Sequence, residues 1–172
     1  MSEAIETAIQ SENWAVARKL IRAALEREPQ SHWLITRLAL TYYEEQKYAA
    51  SLSYSHKALK IAPRCPLALW DYAGSLQMLG IHRKALSVYR TLLARGVEGI
   101  AYGDCGEGLS WARGLISDCF YRQGLSFKKL KQKKAATESY RKHLKMRGPG
   151  CRSIYEIGGV KKELLELTQA NS

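Results

Sequence analysis

The chain has 172 residues and a formal net charge of +11, from 27 Lys and Arg against 16 Asp and Glu. That length suits one sizeable domain, and 46% hydrophobic residues with only 4 Pro exclude a predominantly disordered or collagen-like chain. Polar residues break every apolar run before the roughly 18 residues of a membrane span, and the first twenty residues lack the basic head, apolar core and cleavage pattern of a signal peptide, so a cytoplasmic protein without membrane insertion is expected.

Apolar periodicity predicts, in chain order, helices near residues 2–11, 14–27, 32–45, 48–61, 66–79 and 82–94. A Gly-rich loop follows, within the segment GIAYGDCGEGLSWARG, and helix character returns near Glu107. Further helices are predicted over 107–130 and 133–146. Gly148, Pro149 and Gly150 then break the chain before a last helix around 159–169, where Val160, Leu164 and Leu167 recur on one face and would cap the exposed end.

These helices repeat. A period of 34 aligns Pro29 with Pro63, Trp14 with Tyr48 and His82, Ala17 with Ser51 and Ala85, and Ile21 with Ser55 and Tyr89. Ala24, Ala58 and Leu92 follow in the same register, and Ala39 aligns with Ala73. Adding 51 rather than 34 maps Ala73, Leu76, Ala85 and Tyr89 onto Gly124, Phe127, Ala136 and Tyr140, so 17 residues have been inserted before the fourth copy. The implied units are 1–31, 32–65, 66–99 and 117–150, with an insertion over 100–116.

The pattern resembles the tetratricopeptide repeat family over most of the chain. Leu38, Ala39, Tyr42, Ala58 and Pro63 carry the likeness in the second unit, Tyr72, Ala73, Leu76, Ala85 and Tyr89 in the third, and Gly124, Phe127, Ala136 and Tyr140 in the fourth. Ser51 and Ser55 depart from it, replacing the alanine and the aromatic residue usual in the second helix. The resemblance implies an all-α, right-handed superhelical solenoid of antiparallel helix hairpins, and a non-enzymatic adaptor or scaffold that binds a protein or peptide in a concave groove.

In such solenoids the first helix of each pair lines the groove, which makes Trp33, Arg37, Tyr43, Trp70, Gln77, Tyr121, Arg122 and Lys129 the candidate contact residues. Trp and Tyr offer rigid contact area with a polar atom, and Arg pairs with carboxylates. Tyr42, Tyr72, Phe127 and Tyr140 fall in the shared packing register and are assigned to the core instead. One subclass of the family grips a terminal carboxylate with Lys, Arg and Asn from successive front helices. Asn occurs here only at Asn13 and Asn171, and Asp71 occupies the position that Arg37 and Arg122 hold in neighbouring units, so that clamp is incomplete.

Charge marks a second surface. Residues 128–147 hold nine Lys or Arg and one acidic residue, and residues 100–172 carry a net +7 against +4 for residues 1–99. Lys128, Lys129, Lys131, Lys133, Lys134, Arg141, Lys142, Lys145 and Arg147 could attract an acidic protein, nucleic acid or anionic lipid, or could serve only to solvate the surface. An RNA-associated adaptor and a small secretion-type chaperone are therefore the alternatives to peptide binding. Monomer and homodimer both remain open.

Catalytic signals are weak. Tyr102-Gly-Asp-Cys-Gly-Glu-Gly108 lacks the Lys and the Ser or Thr of a phosphate loop, and reads as a bend with Asp104 placed to cap the next helix. Leu109, Ala112, Leu115, Ile116 and Cys119 form an apolar face beyond it, leaving Trp111 as the insertion's candidate contact residue. Cys65, Cys105, Cys119 and Cys151 are too far apart for a familiar zinc pattern and are expected to be reduced and structural; the four His complete no metal spacing, so neither metal nor cofactor is expected.

Overall fold

The computed structural model describes residues 2–169. Among them the architecture is all-α: α1 (Ser2–Gln10), α2 (Trp14–Arg27), α3 (His32–Glu44), α4 (Tyr48–Ile61), α5 (Pro66–Met78), α6 (His82–Ala94), α7 (Gly96–Ala101), α8 (Leu109–Lys129), α9 (Lys133–Met146) and α10 (Ile157–Gln169). The chain falls into two compact units with the boundary between Gly80 and Ile81.

The hairpin turns are alike at the level of the backbone. A residue with positive φ follows the first helix at Glu12 (54°), Gln46 (59°) and Gly80 (78°), 34 residues apart, and again at Lys131 (59°), 51 further on. In three of the turns the next N–H reaches back five residues, Asn13 to Ala8 O, Lys47 to Tyr42 O and Gln132 to Phe127 O, the closure of a Schellman motif. The periodicity read from side chains is thus repeated by a left-handed backbone residue, which is favourable only for Gly80; Glu12, Gln46 and Lys131 carry a Cβ penalty there.

In the first unit α1 pairs with α2, α3 with α4, and α5 lies against both α4 and α3. Asn13 accepts from Val16 N–H at 3.3 Å and Ser31 from Leu34 N–H at 3.5 Å, which start α2 and α3, while Pro66 occupies the first turn of α5, where its missing N–H costs nothing. Ile5, Ile21, Ala24, Leu34 and Leu38 form a core, with Trp33, Tyr42 and Tyr54 packed around it. Ser51 and Ser55, the departures from the repeat pattern, are fully buried and satisfied: Ser55 Oγ donates to Ser51 O at 2.9 Å, and Ser75 Oγ lies 2.9 Å from both Ser51 Oγ and Asp71 O. The Ser51 and Ser75 hydroxyls pair across α4 and α5, while the Ser55 hydroxyl turns back on its own helix, where larger apolar groups would otherwise meet.

In the second unit α8 is the hub, packed against α6, α7 and α9, and α10 covers α9. Tyr140 of α9 is fully buried because Gly124 lets its ring lie on the α8 backbone; a Cβ at 124 would overlap Tyr140 Cδ1 and Cε1. Ala136, Tyr140, Val160 and Leu167 make the core here, with Phe127 and Leu164 against it.

Around the insertion the structure departs from the sequence reading. Residues 96–101 form the short helix α7 rather than loop, because burial of Ile100 and Ala101 against α8 outweighs the helix-breaking effect of Gly96 and Gly99. Gly106 then tucks against the carbonyls of Ile100 and Ala101, where no larger residue fits. Asp104 does not cap the next helix: α8 starts at Leu109 behind Gly108, with no side-chain cap. No helix among the described residues is long and apolar enough to cross a membrane.

Candidate functional site

On α3, Trp33, Arg37 and Leu40 recur at i, i+4 and i+7, so they share one face, and all three are half-buried while Leu34, Ile35 and Leu38 turn inward. Trp33 backs onto the core, and the Arg37 guanidinium carbon stands 5.4 Å from its ring centroid. Arg37 Nε also donates to Glu6 Oε1 at 2.6 Å, so part of its charge is met from α1. Tyr43 lies at the edge of the same face, edge-on to Tyr48 with centroids 5.3 Å apart. On α5, Trp70 is half-buried, whereas Gln77 is buried at 8% exposure and not presented to solvent. Because α3 and α5 touch, two helices at the same place in the 34-residue period lie side by side within this unit.

The second unit's candidates behave differently. Tyr121 is half-buried in an aromatic group with Tyr155 at 4.1 Å and Tyr140 at 5.7 Å between centroids. Arg122 is 8% exposed and its Nε donates to Tyr155 Oη at 2.6 Å. Lys129 is exposed; Lys128 is not free, its Nζ lying 2.7 Å from Glu163 Oε2 and 2.8 Å from Glu166 Oε2, so it fastens α8 to α10. Trp111 is half-buried near the start of α8.

The basic run divides likewise. Lys131, Lys133, Lys134, Arg141, Lys142 and Lys145 are exposed, and Arg147 is half-buried. Lys142 pairs with Glu138 at 2.7 Å and reaches over the Phe120 ring. Lys133, Lys134 and Arg141 border a shallow depression of about 410 Å³ with Thr137, Glu138, Leu167 and Thr168.

One cluster resembles a nucleophile with its base and is not one. Ser117 and His143 are fully buried, with Ser117 Oγ 3.0 Å from His143 Nδ1. His143 Nδ1 also lies 2.8 Å from the Ser117 carbonyl, which only accepts, so Nδ1 carries the proton and cannot take one from Ser117. Burial pushes the His143 pKa down, a shift opposed by the Ser117 carbonyl and the Asp118 charge, and the pair acts as a polar core between α8 and α9. Burial likewise pushes the Cys119 thiol up, away from thiolate chemistry. All four cysteines are free thiols.

Sequence reasoning missed the partners of α8: Asp118, at 3% exposure, accepts from the Ser153 hydroxyl at Oδ1 and from Ile154 N–H at Oδ2, 3.0 Å. The available signal was a lone acid between the apolar residues Ile116 and Cys119, where a carboxylate needs donors.

The sequence matches no family model and no curated protein sequence. Solved structures are similar in fold. MamA from Desulfovibrio magneticus RS-1 aligns with a TM-score of 0.69 at 12% identity, over 98% of this chain and 87% of that one. RapI in its apo form aligns at 0.77 and 16% identity, over 97% and 62%. The Sgt2 TPR domain from Aspergillus fumigatus aligns at 0.59 and 21% identity, over 81% and 78%. Such identities speak for architecture alone, and on that evidence the chain has a tetratricopeptide-like helical-repeat fold.

Proposed function

We propose that the chain is a non-enzymatic, cytoplasmic scaffold that binds a protein or peptide through the first helices of its hairpins. The observation that carries this reading is the lateral contact of α3 with α5, whose half-buried Trp33, Arg37, Tyr43 and Trp70 offer aromatic area beside a guanidinium. Such residues dominate binding energy where they are only partly committed to the fold. The division into units 1–31, 32–65, 66–99 and 117–150 around an insertion at 100–116 belongs to the same reading, supported by the left-handed residue that recurs at 12, 46, 80 and 131.

The test is affinity capture with the full chain as bait, followed by calorimetric titration of each recovered protein against the purified chain. Saturable binding of one protein, weakened at least tenfold by Trp70→Ala with the fold intact, is expected. Saturable binding of nucleic acid alone would sink the proposal.

A second reading assigns the exposed Lys129, Lys131, Lys134, Arg141 and Lys145 to an acidic partner, either a protein surface or RNA. The depression bordered by Lys133, Lys134 and Arg141, with Thr137, Glu138 and Thr168, supports an acidic partner. Affinity for either would fall steeply with salt, and Lys134→Glu with Arg141→Glu should abolish it.

A further inference from the structure

Between α9 and α10 the chain does not turn directly. Residues 147–156 form no helix, and part of this strap runs along α8, meeting it at each successive turn of one stripe. Gly114, Asp118 and Arg122 are spaced i, i+4 and i+8, hence stacked on a single face. A Cβ at Gly114 would overlap the Arg152 carbonyl oxygen, so backbone meets backbone there. Asp118 accepts from the Ser153 hydroxyl and the Ile154 N–H, and Arg122 donates to the hydroxyl of Tyr155, whose ring packs tilted against Tyr121 with centroids 4.1 Å apart. The strap is thus engaged as an extended ligand is: one hydroxyl, one backbone amide and one phenol, in order.

The strap's hydrophobic anchoring is confined to Tyr155, whose ring packs against the core around Tyr140. Ile154 is 69% exposed, Arg152 is exposed, and Cys151, Ser153 and Tyr155 are half-buried. By contrast Asp118 and Arg122 are both more than nine-tenths buried. A segment serving only as a brace would be held by apolar side chains, because charged groups recover their desolvation cost only through well-formed partners. Here the buried charges belong to the helix, and the strap supplies groups that any extended peptide with the same spacing could supply. Gly148 and Gly150 flank Pro149 at its entry, and Lys128, bound to Glu163 and Glu166, holds α10 at its exit.

We propose that the Gly114–Asp118–Arg122 stripe of α8, with Tyr121, is a binding site for an extended peptide carrying Ser-x-Tyr, occupied in cis by residues 151–155, which a partner segment must displace. The proposal deepens the peptide-binding reading above and rests on it. A tethered ligand competes at an effective concentration in the millimolar range, so the intact chain binds such a peptide weakly and a loosened strap unmasks the site.

The probe is a synthetic fluorescent peptide of residues 150–156, titrated by anisotropy into the full-length chain and into full-length Ser153→Ala/Tyr155→Phe, which loses only the strap's hydroxyl contacts. The variant is expected to bind at least tenfold more tightly than the parent, and a peptide with the same two changes should bind neither. Equal affinity for both chains, or no binding to the folded variant, would overturn the proposal. A second measurement needs no variant of the chain: trypsin cuts after Arg152, and excess of the same peptide carrying Arg152→Gln, which trypsin does not cut, should accelerate that cut in the parent chain several-fold by freeing the strap. An unchanged cleavage rate would also overturn it. Should these tests fail while capture of a protein partner still depends on Trp70, the strap is a brace and the scaffold reading stands.

Discussion

The hairpins α3/α4 and α8/α9 share a turn and differ in what fills them. Both first helices end in a left-handed residue, Gln46 or Lys131, and a five-residue backbone closure. On α4 buried positions are held by small hydroxyls, Ser51 and Ser55, and the aromatic pair Tyr42 and Tyr54 stacks at 5.3 Å across α3 and α4 in the partly buried layer around the core. Between α8 and α9 a whole tyrosine, Tyr140, lies against a glycine, beside a buried imidazole. The backbone frame is therefore set by turn chemistry and register, and each pair of helices solves its own packing. What the first unit leaves half-exposed on α3 and α5, the second covers on α8 with its own strap.

The largest expected effect tests that difference in packing. Tyr140→Ala should cost about 3–5 kcal/mol, as for other large buried aromatics, whereas Tyr54→Ala, from the partly buried stack, should cost less than half as much. Urea unfolding of the two variants reads both, and comparable losses would break the contrast. Gly124→Ala comes next. Alanine would gain about 1 kcal/mol of helix propensity, yet the overlap with Tyr140 should leave a net loss of about 1–2 kcal/mol; a gain in stability would show that the ring moves aside.

The units should also part company with pH. His143 has a folded pKa below its ordinary 6.5, chiefly through burial, with Arg147 pushing down and the Ser117 carbonyl and Asp118 pulling up. The unfolded state then binds more protons, so this contribution is present above pH 6.5 and lost as pH falls below it. In the first unit the Glu45 carboxyl is held at about 2 rather than 4.5 by hydrogen bonds from Arg18 and Lys47. Its contribution is present above 4.5 and lost as pH falls toward about 2. Amide exchange should therefore rise first in α9, and around the contact of Arg18 on α2 with Glu45 at the end of α3 only at more acid pH. An NMR titration midpoint for His143 at or above 6.5 would contradict the account.

The smallest effect concerns what the hairpins share. Gln46→Gly and Lys131→Gly should each stabilise by up to about 1 kcal/mol, since relief of the left-handed strain exceeds the entropy that glycine adds to the unfolded chain. Calorimetric melting reads the shift, and a loss at either position would mean that its side chain contributes to the turn.

Much of the fold was legible because it is periodic: Ala17, Ala85 and Ala136 recur in one register, Ala24 and Ala58 in another, and all are buried. The α7 helix was hidden behind glycines whose local preference is overridden by burial of Ile100. The candidate surface was legible in part. Trp33 and Arg37 share a half-buried face that spacing alone places on one side of a helix. Arg122 offers the same spacing but meets Tyr155, 33 residues away, and Asp118 meets Ser153, 35 away; no local pattern encodes such contacts. Lys128 belongs to a basic run in the sequence, while its acidic partners lie across the chain in α10.

The central claim is that the half-buried face of α3 and α5 binds a protein. The most direct measurement is the affinity of a captured partner for three full-length proteins: the parent, Arg37→Ala/Trp70→Ala, and Lys134→Glu/Arg141→Glu. The account predicts at least a tenfold loss for the first pair and little change for the second, with all three folded. Unchanged affinity for Arg37→Ala/Trp70→Ala together with loss in Lys134→Glu/Arg141→Glu would contradict it and move the site to the basic face of α9.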